Sequence, residues 1–195
     1  MIWSFPQKKI FGSLGESVCE ETFGLLGYDV DRTGIEHKAP LLAANLQKTM
    51  QAANQSYGKD VIDYVKTTPD FLVSRVNDRN KTEAMYVEAK FKYCRDRTEL
   101  LMAQESLKTK LLEYMKFHPT TLIFLVTNPI QESDLEDGKT NMIWLLSSKN
   151  RNNWVTAQRS VKYPIYNGLN HETLASVVSK HIDPLLNTVF KSQQR

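Results

Sequence analysis

Short apolar runs alternate with longer amphipathic stretches along the chain, a pattern typical of strands and helices in alternation. Residues 71–73 and 85–87 are apolar runs of strand length, and the turn-forming residues 77–80 lie between them. This part of the sequence therefore predicts a β-hairpin.

The region after the hairpin predicts a helix and two more strands. Asp96 and Glu99 form a capping box, and the helix that follows runs to about His118. Residues 121–127 and 142–146 are continuous apolar runs, as expected for buried strands. The apolar stripe of the helix consists of Leu100, Leu101, Leu107, Leu111, Leu112 and Met115.

Two further helices are predicted near the ends of the chain. Residues 15–21 begin a helix that ends before a first strand at Gly27, and residues 170–191 form a helical segment interrupted by Pro184. No linker rich in Gly, Ser or Pro divides the 195 residues, so we expect one domain spanning 1–195. The predicted fold class is α/β, with a central mixed β-sheet flanked by helices.

The segment 31–66 is longer than a connection between a helix and a hairpin requires. Its apolar residues recur at helical spacing, which predicts an inserted helical segment around 35–60. Such an insertion serves either core packing or substrate selection and dimer contacts, and the sequence leaves these alternatives open. The apolar residues are Leu42, Leu46, Met50, Ala53 and Tyr57.

The hairpin brings two acidic residues together if it folds symmetrically about Arg79. In that register Asp70 lies opposite Glu88, with Cβ atoms about 5 Å apart on the same face of the sheet. Two carboxylates this close repel each other unless they share a proton or a cation lies between them. We favour a metal ion.

Side chains alternate along a strand, so Lys90 points the same way as Glu88, while Ala89 and Phe91 point into the apolar layer. Carboxylate oxygens suit Mg²⁺, for which Mn²⁺ is the expected substitute. The Lys90 ammonium would orient an attacking water or stabilise the charge that develops on a phosphate.

The motifs Pro69-Asp70 and Glu88-Ala89-Lys90, together with a preceding helix that carries Glu16, resemble the core of the PD-(D/E)xK nucleases. Members of that superfamily share a restriction-endonuclease-like fold, and the pattern is closest to that of the Holliday-junction resolvases. The resemblance implies that Glu16, Asp70, Glu88 and the Ala89 carbonyl hold the metal.

The helix carboxylate has an alternative interpretation. Ser13 and Glu16 also match a capping box, in which Glu16 would only accept a hydrogen bond at the start of the helix. In that case Glu20, one turn further on, is the substitute metal ligand.

The predicted function is that of a Mg²⁺-dependent DNA endonuclease, with Glu16, Asp70, Glu88 and Lys90 as catalytic residues. Gln104 is followed four residues later by Lys108, whereas the exonuclease subgroup carries Tyr there. Restriction-type and junction-resolving specificities both remain open, and a junction resolvase would need a homodimer. The competing hypotheses are a non-catalytic nucleic-acid-binding or assembly module and an unrelated α/β protein with an accidental motif.

Charge and composition limit the partners. The net charge is only +3, but basic residues flank the proposed site and suit contacts with DNA phosphates. Two cysteines without a CxxC motif favour a reducing cytoplasm, and we expect no membrane segment and no nucleotide cofactor. The basic residues predicted to bind nucleic acid are Lys81, Lys92, Arg95 and Arg97.

Overall fold

A six-stranded sheet organises the chain, as shown by a computed structural model. The structure describes residues 5–34, 59–130, 141–147 and 153–156, and residues 176, 177, 180, 181 and 184. The elements are α1 (Phe5–Leu25), β1 (Asp29–Arg32), α2 (Lys59–Lys66), β2 (Phe71–Val76), β3 (Thr82–Lys92), α3 (Arg97–Tyr114), β4 (Leu122–Ile130), β5 (Asn141–Ser147) and the two-residue β6 (Val155–Thr156).

The strands follow one another in the sheet in the order of the chain. β3 and β4 pair in parallel and are joined through α3, while every other neighbouring pair is antiparallel. A parallel pair needs a crossover connection, which α3 provides. The prediction of an α/β fold with a mixed sheet is therefore confirmed.

Alternating side chains on the central strands build a core on each face of the sheet. On β4, Phe124 and Val126 pack in one core with Val18 and Phe23 of α1. The intervening Leu125 points to the other face, into a second core with residues of α3. The sheet is thus flanked by α1 on one side and by α3 on the other.

The hairpin has the predicted register. Phe71 pairs with Val87 and Val76 with Thr82, so the two strands are symmetric about Arg79. The turn is held by the Asn77 side chain, whose Oδ1 accepts hydrogen bonds from the backbone nitrogens of Arg79 and Lys81, both at 3.0 Å. An Asx-type turn of this kind sets the register of the ladder that follows.

The start of α1 differs from the prediction. α1 begins at Phe5, so Ser13 and Glu16 lie in its interior and the capping-box interpretation of Glu16 is wrong.

In α3 the capping box is confirmed, because the Glu99 nitrogen donates to Asp96 at 2.9 Å. The helix ends at Tyr114, short of the predicted His118. Two members of its predicted apolar stripe are exposed, namely Leu101 and Leu112.

Several predicted segments lie outside the described residues. These are residues 35–58 of the inserted helical segment predicted around 35–60, and most of the C-terminal helical segment predicted over 170–191. Of that last segment, Val177 is fully buried in the α1 core. Glu21 of α1 pairs with Lys180 at 2.8 Å and also with His181. These three residues of the C-terminal segment therefore pack against α1 and its core.

α1 approaches β3 most closely at Gly15. A Cβ atom on Gly15 would lie 3.0 Å from the Phe91 nitrogen and 3.1 Å from the Lys90 carbonyl carbon. These are backbone atoms of the sheet, which cannot move aside as a flexible side chain would. Glycine at this position lets the helix that carries Glu16 lie directly on the strand that carries Glu88 and Lys90.

We expect Gly15→Ala to lower the free energy of unfolding by about 1–2 kcal/mol, because the added methyl group overpacks the contact between helix and sheet. Gly12→Ala is the matched control, since nothing lies within 4 Å of its Cβ position. That substitution should instead stabilise the protein by about 0.5–1 kcal/mol. Urea unfolding measures both, and equal effects of the two substitutions would contradict the close approach.

Candidate active site

The backbone at Pro69-Asp70 is clamped to the end of β1. Thr33 and Gly34 donate their backbone nitrogens to the Asp70 carbonyl oxygen at 2.8 and 3.2 Å. The Thr33 hydroxyl donates to the Pro69 carbonyl at 2.7 Å. Asp70 immediately precedes β2, and extending the β2–β3 register by one residue places it opposite Glu88.

Asp70, Glu88 and Lys90 converge as the sequence predicts. Asp70 Oδ2 accepts a hydrogen bond from the Ala89 nitrogen at 2.9 Å and lies 3.5 Å from Lys90 Nζ. The same ammonium pairs with Glu88 Oε1. The side chains are 18%, 5% and 30% exposed for Asp70, Glu88 and Lys90, so the two acids are more buried than the lysine between them.

The opposite face of β3 is apolar, as predicted. Ala89 is buried in the core shared with α1. Phe91 packs against that core and stacks on Phe11 of α1, with ring centroids 4.9 Å apart. The motif Glu88-Ala89-Lys90 therefore turns Ala89 into the apolar core and the charged side chains of Glu88 and Lys90 to the opposite face of the sheet.

Tyr114 is a fourth member of the site, and the sequence analysis missed it. Its hydroxyl donates to Glu88 Oε1 at 2.6 Å. Tyr114 is the last residue of α3 and follows Leu107 and Leu111, both buried, at helical spacing. A tyrosine that continues a buried stripe brings a polar tip to the sheet, and this spacing is the pattern by which it could have been found.

Burial and mutual repulsion perturb the ionisable groups. Burial, and then the charge of Glu88, raise the pKa of Asp70 to about 7, against the opposing effect of Lys90. Burial acts to lower the pKa of Lys90, but the two carboxylates outweigh it and raise that pKa. Burial and the Glu88 charge also raise the pKa of Tyr114, so its hydroxyl remains a donor. The site thus holds two acids around one firmly charged ammonium.

The α1 carboxylates lie beside this cluster and are paired with Arg32 of β1. The guanidinium contacts Glu16 at 3.2 Å and Glu20 at 2.6 Å, and it lies 5.5 Å from the centre of the Phe71 ring. The charge of Glu16 contributes to the raised pKa of Asp70. Because Arg32 bridges both acids, its position does not discriminate Glu16 from Glu20 as the helix carboxylate.

Cys19 of α1 is buried near four acidic side chains. Its side chain is fully buried, and burial raises the pKa of the thiol. The charges of Asp70, Glu20, Glu16 and Glu88 act in the same direction. Within the described ranges, however, no three His, Cys, Asp or Glu side chains form a group arranged to hold a metal ion. Lys90 and Arg32 are the cations that form ion pairs with these acids.

The basic residues predicted to bind nucleic acid do not form one surface. Lys92 and Arg95 line a groove of about 630 Å³ at the carboxyl end of β3. Arg95 also pairs with Glu99, its Nε donating at 2.5 Å. Arg97 is exposed at the start of α3, whereas Lys81 lies at the opposite end of β3, in the hairpin turn. Of the four predicted residues, only Lys92 and Arg95 therefore line the same groove.

Three further observations concern other parts of the described chain. Trp154 packs against the α3 core and donates to the Gln104 carbonyl at 3.1 Å. Cys19 and Cys94 are both buried and unpaired with each other. Among the helices that the structure describes, none combines the length and apolarity that a bilayer span requires.

Comparison of the chain with protein-family models, with curated protein sequences and with solved structures found no match. The resemblance to PD-(D/E)xK nucleases therefore rests on Asp70, Glu88, Lys90 and Glu16 alone.

The raised pKa of Asp70 makes the stability of the metal-free protein depend on pH. The folded state holds the Asp70 proton more tightly than the unfolded state, so the free energy of unfolding should fall as the pH rises from about 4 to about 7. We expect Asp70→Asn to remove this dependence. Relative to wild type, the variant should gain roughly 2–4 kcal/mol between pH 4 and pH 8.

Urea unfolding in EDTA at several pH values measures this effect. Asp78→Asn, at an exposed position in the hairpin turn, is the control and should follow wild type. An identical pH dependence for wild type and Asp70→Asn would show that Asp70 is ionised normally.

We expect Tyr114→Phe to lower the free energy of unfolding by about 1.5–3 kcal/mol, because the buried Glu88 carboxylate loses a hydrogen bond. Tyr86→Phe is the matched control, since Tyr86 lies two residues from Glu88 on the same face and its hydroxyl bonds to no described residue. That change should stay within about 0.5 kcal/mol. Thermal unfolding at neutral pH compares the two, and equal losses would remove Tyr114 from the site.

Proposed function

We propose that this protein is a metal-dependent DNA endonuclease that hydrolyses phosphodiester bonds at the Asp70–Glu88–Lys90 cluster. The observation that carries the proposal is the hairpin register, which brings two buried carboxylates to one ammonium. A largely buried acid whose pKa is raised by burial and by a second carboxylate, as that of Asp70 is, is typical of sites that bind cations or transfer protons. The order of the residues also fits the PD-(D/E)xK pattern.

The donor set suits Mg²⁺, or Mn²⁺ as a substitute. Asp70 and Glu88 offer carboxylate oxygens, the Ala89 carbonyl directly follows Glu88 in the chain, and Glu16 is the nearby acid on α1. Hard divalent cations prefer such oxygen ligands. When bound, the metal would polarise the scissile phosphate and lower the pKa of a water that attacks it.

The protein's own groups then position the reactants. Tyr114 fixes the Glu88 carboxylate, and the Ala89 nitrogen fixes Asp70. Lys90 is the most exposed of the cluster and carries a firmly held positive charge. With a divalent cation neutralising the acids, its ammonium is available to orient the water or to stabilise charge on the phosphate.

DNA is the proposed partner. The groove lined by Lys92 and Arg95 lies just beyond Lys90 on the same strand, and its cations suit the phosphates that flank a cleavage point. Cleavage of both strands of a junction would need a homodimer. Two buried, unpaired cysteines fit the reducing cytoplasm as the place of action.

One observation favours a second candidate, a non-catalytic nucleic-acid-binding or assembly module. Each acid already has a cationic partner within the protein: Lys90 pairs with Asp70 and Glu88, and Arg32 pairs with Glu16 and Glu20. A network of this kind is able to act as a purely structural set of ion pairs. Metal binding and cleavage separate the two candidates.

We expect wild type to nick a supercoiled plasmid in Mg²⁺ or Mn²⁺ and to lose the activity in EDTA. A closed circle has no ends, so nicking identifies an endonuclease. Asp70→Asn and Glu88→Gln should each lose about a hundredfold or more, because each removes a ligand of the metal. Titration calorimetry with Mn²⁺ should show saturable binding that both variants weaken.

Glu83→Gln is the control for these variants. Glu83 lies near the other end of β3 and pairs with Arg75, so its loss removes an acid from the same strand without touching the cluster. Circular dichroism checks that each variant is folded. Nucleic-acid binding without metal binding or cleavage would favour the second candidate, and cleavage that survives Asp70→Asn would reject the proposed site.

A further inference from the structure

Four aromatic rings form a cluster outside the ion-pair site. His118 lies between Tyr64 of α2 and Tyr86 of β3, with ring centroids 5.0 and 4.6 Å away. Tyr64 also meets Phe117 edge to face, at 5.9 Å and 87°. We call these four residues the aromatic cluster. It joins α2, β3 and the segment that follows α3.

The cluster presents ring surface to solvent. Tyr64 is 45% exposed and Phe117 is 38% exposed, while His118 beneath them is 2% exposed. The other exposed large apolar side chains among the described residues carry no aromatic ring. An exposed pair of rings supported by a buried one is a platform, and exposed apolar surface of this kind marks interaction sites.

The aromatic cluster is continuous with the candidate active site. Tyr86 and Glu88 lie on the same face of β3, two residues and therefore about 7 Å apart. The backbone nitrogen of His118 donates to the backbone carbonyl of Tyr114, and the Tyr114 hydroxyl donates to the Glu88 carboxylate. A strand of nucleic acid lying over Glu88 is thus able to contact both places.

Charge and hydrogen bonding at the cluster suit a nucleotide. Lys116 directly precedes Phe117 and Lys66 lies two residues after Tyr64; both are exposed and pair with no acid among the described residues. His118 Nε2 is buried without a hydrogen-bond partner in that same part of the chain. An unsatisfied polar atom beneath an open platform is what a site completed by a ligand presents.

We infer that the aromatic cluster binds an unpaired nucleobase of the strand held at the Asp70–Glu88–Lys90 cluster, an inference that rests on the proposed function for its choice of ligand. Tyr64 and Phe117 supply the stacking surface, and Lys66 and Lys116 contact the neighbouring phosphates. A base presents its face to a protein ring only when it is unstacked. The substrate class is therefore DNA with a single-stranded segment, such as a branch, a flap or a free strand.

Binding in EDTA tests this inference without cleavage. Fluorescence anisotropy of the full-length protein compares a labelled single strand, a blunt duplex of the same sequence and an abasic version of the strand. Wild type should prefer the intact single strand to both. Tyr64→Leu should weaken that binding about tenfold, because leucine keeps the apolar bulk but not the aromatic face.

Two variants make the comparison specific. Tyr64→Phe keeps the ring and should bind as wild type does. Leu101→Ala removes an exposed apolar side chain from α3 elsewhere and should also leave binding unchanged. Wild-type affinity in Tyr64→Leu, equal affinity for the abasic strand, or no binding of any strand would each overturn the inference.

Cleavage in Mg²⁺ separates this inference from the proposed function. A protein that binds single strands through Tyr64 but cuts nothing would retain the inference and reject the endonuclease. A protein that nicks plasmid while Tyr64→Leu leaves single-strand binding unchanged would do the reverse.

Discussion

The register of the β2–β3 hairpin is the constraint on which the candidate site depends. It places Asp70 opposite Glu88 and directs the Ala89 nitrogen to Asp70, while the alternation of side chains along β3 puts Lys90 on the same face as Glu88. A slip of one residue would turn these side chains to opposite faces and bury an acid in the α1 core. The hairpin turn therefore acts on the chemistry of residues at the far end of the ladder.

Electrostatics gives the site its second constraint. Two carboxylates lie side by side with little exposure, and one lysine pairs with both while remaining the most exposed of the three. Removing such a counter-ion leaves buried charge uncompensated, which is strongly unfavourable. Arg32 repeats the arrangement for Glu16 and Glu20. Acids and their compensating cations are thus supplied by neighbouring strands and one helix.

Local sequence patterns predict part of this structure, and the rest depends on how helices and strands pack on the sheet. The turn residues and the alternation of side chains were enough to predict the register and the shared face of Glu88 and Lys90, since both depend on residues close in sequence. Helical spacing marks Tyr114 as a continuation of the buried stripe, but its contact with Glu88, like that of Arg32 with Glu16, depends on how a helix or strand packs on the sheet. The start of α1 at Phe5 was missed, although Ser4 and Gln7 have the spacing of a capping box and Pro6 suits the first turn of a helix.

The burial of Cys19 makes thiol chemistry a reporter of how α1 sits on the sheet. The thiolate is the form that alkylating reagents attack, and burial and four nearby acids suppress it while the helix is packed. Alkylation of Cys19 then proceeds through states in which α1 has moved away from the sheet. The rate of this reaction would follow the local opening of the helix, separately from unfolding of the α3 side.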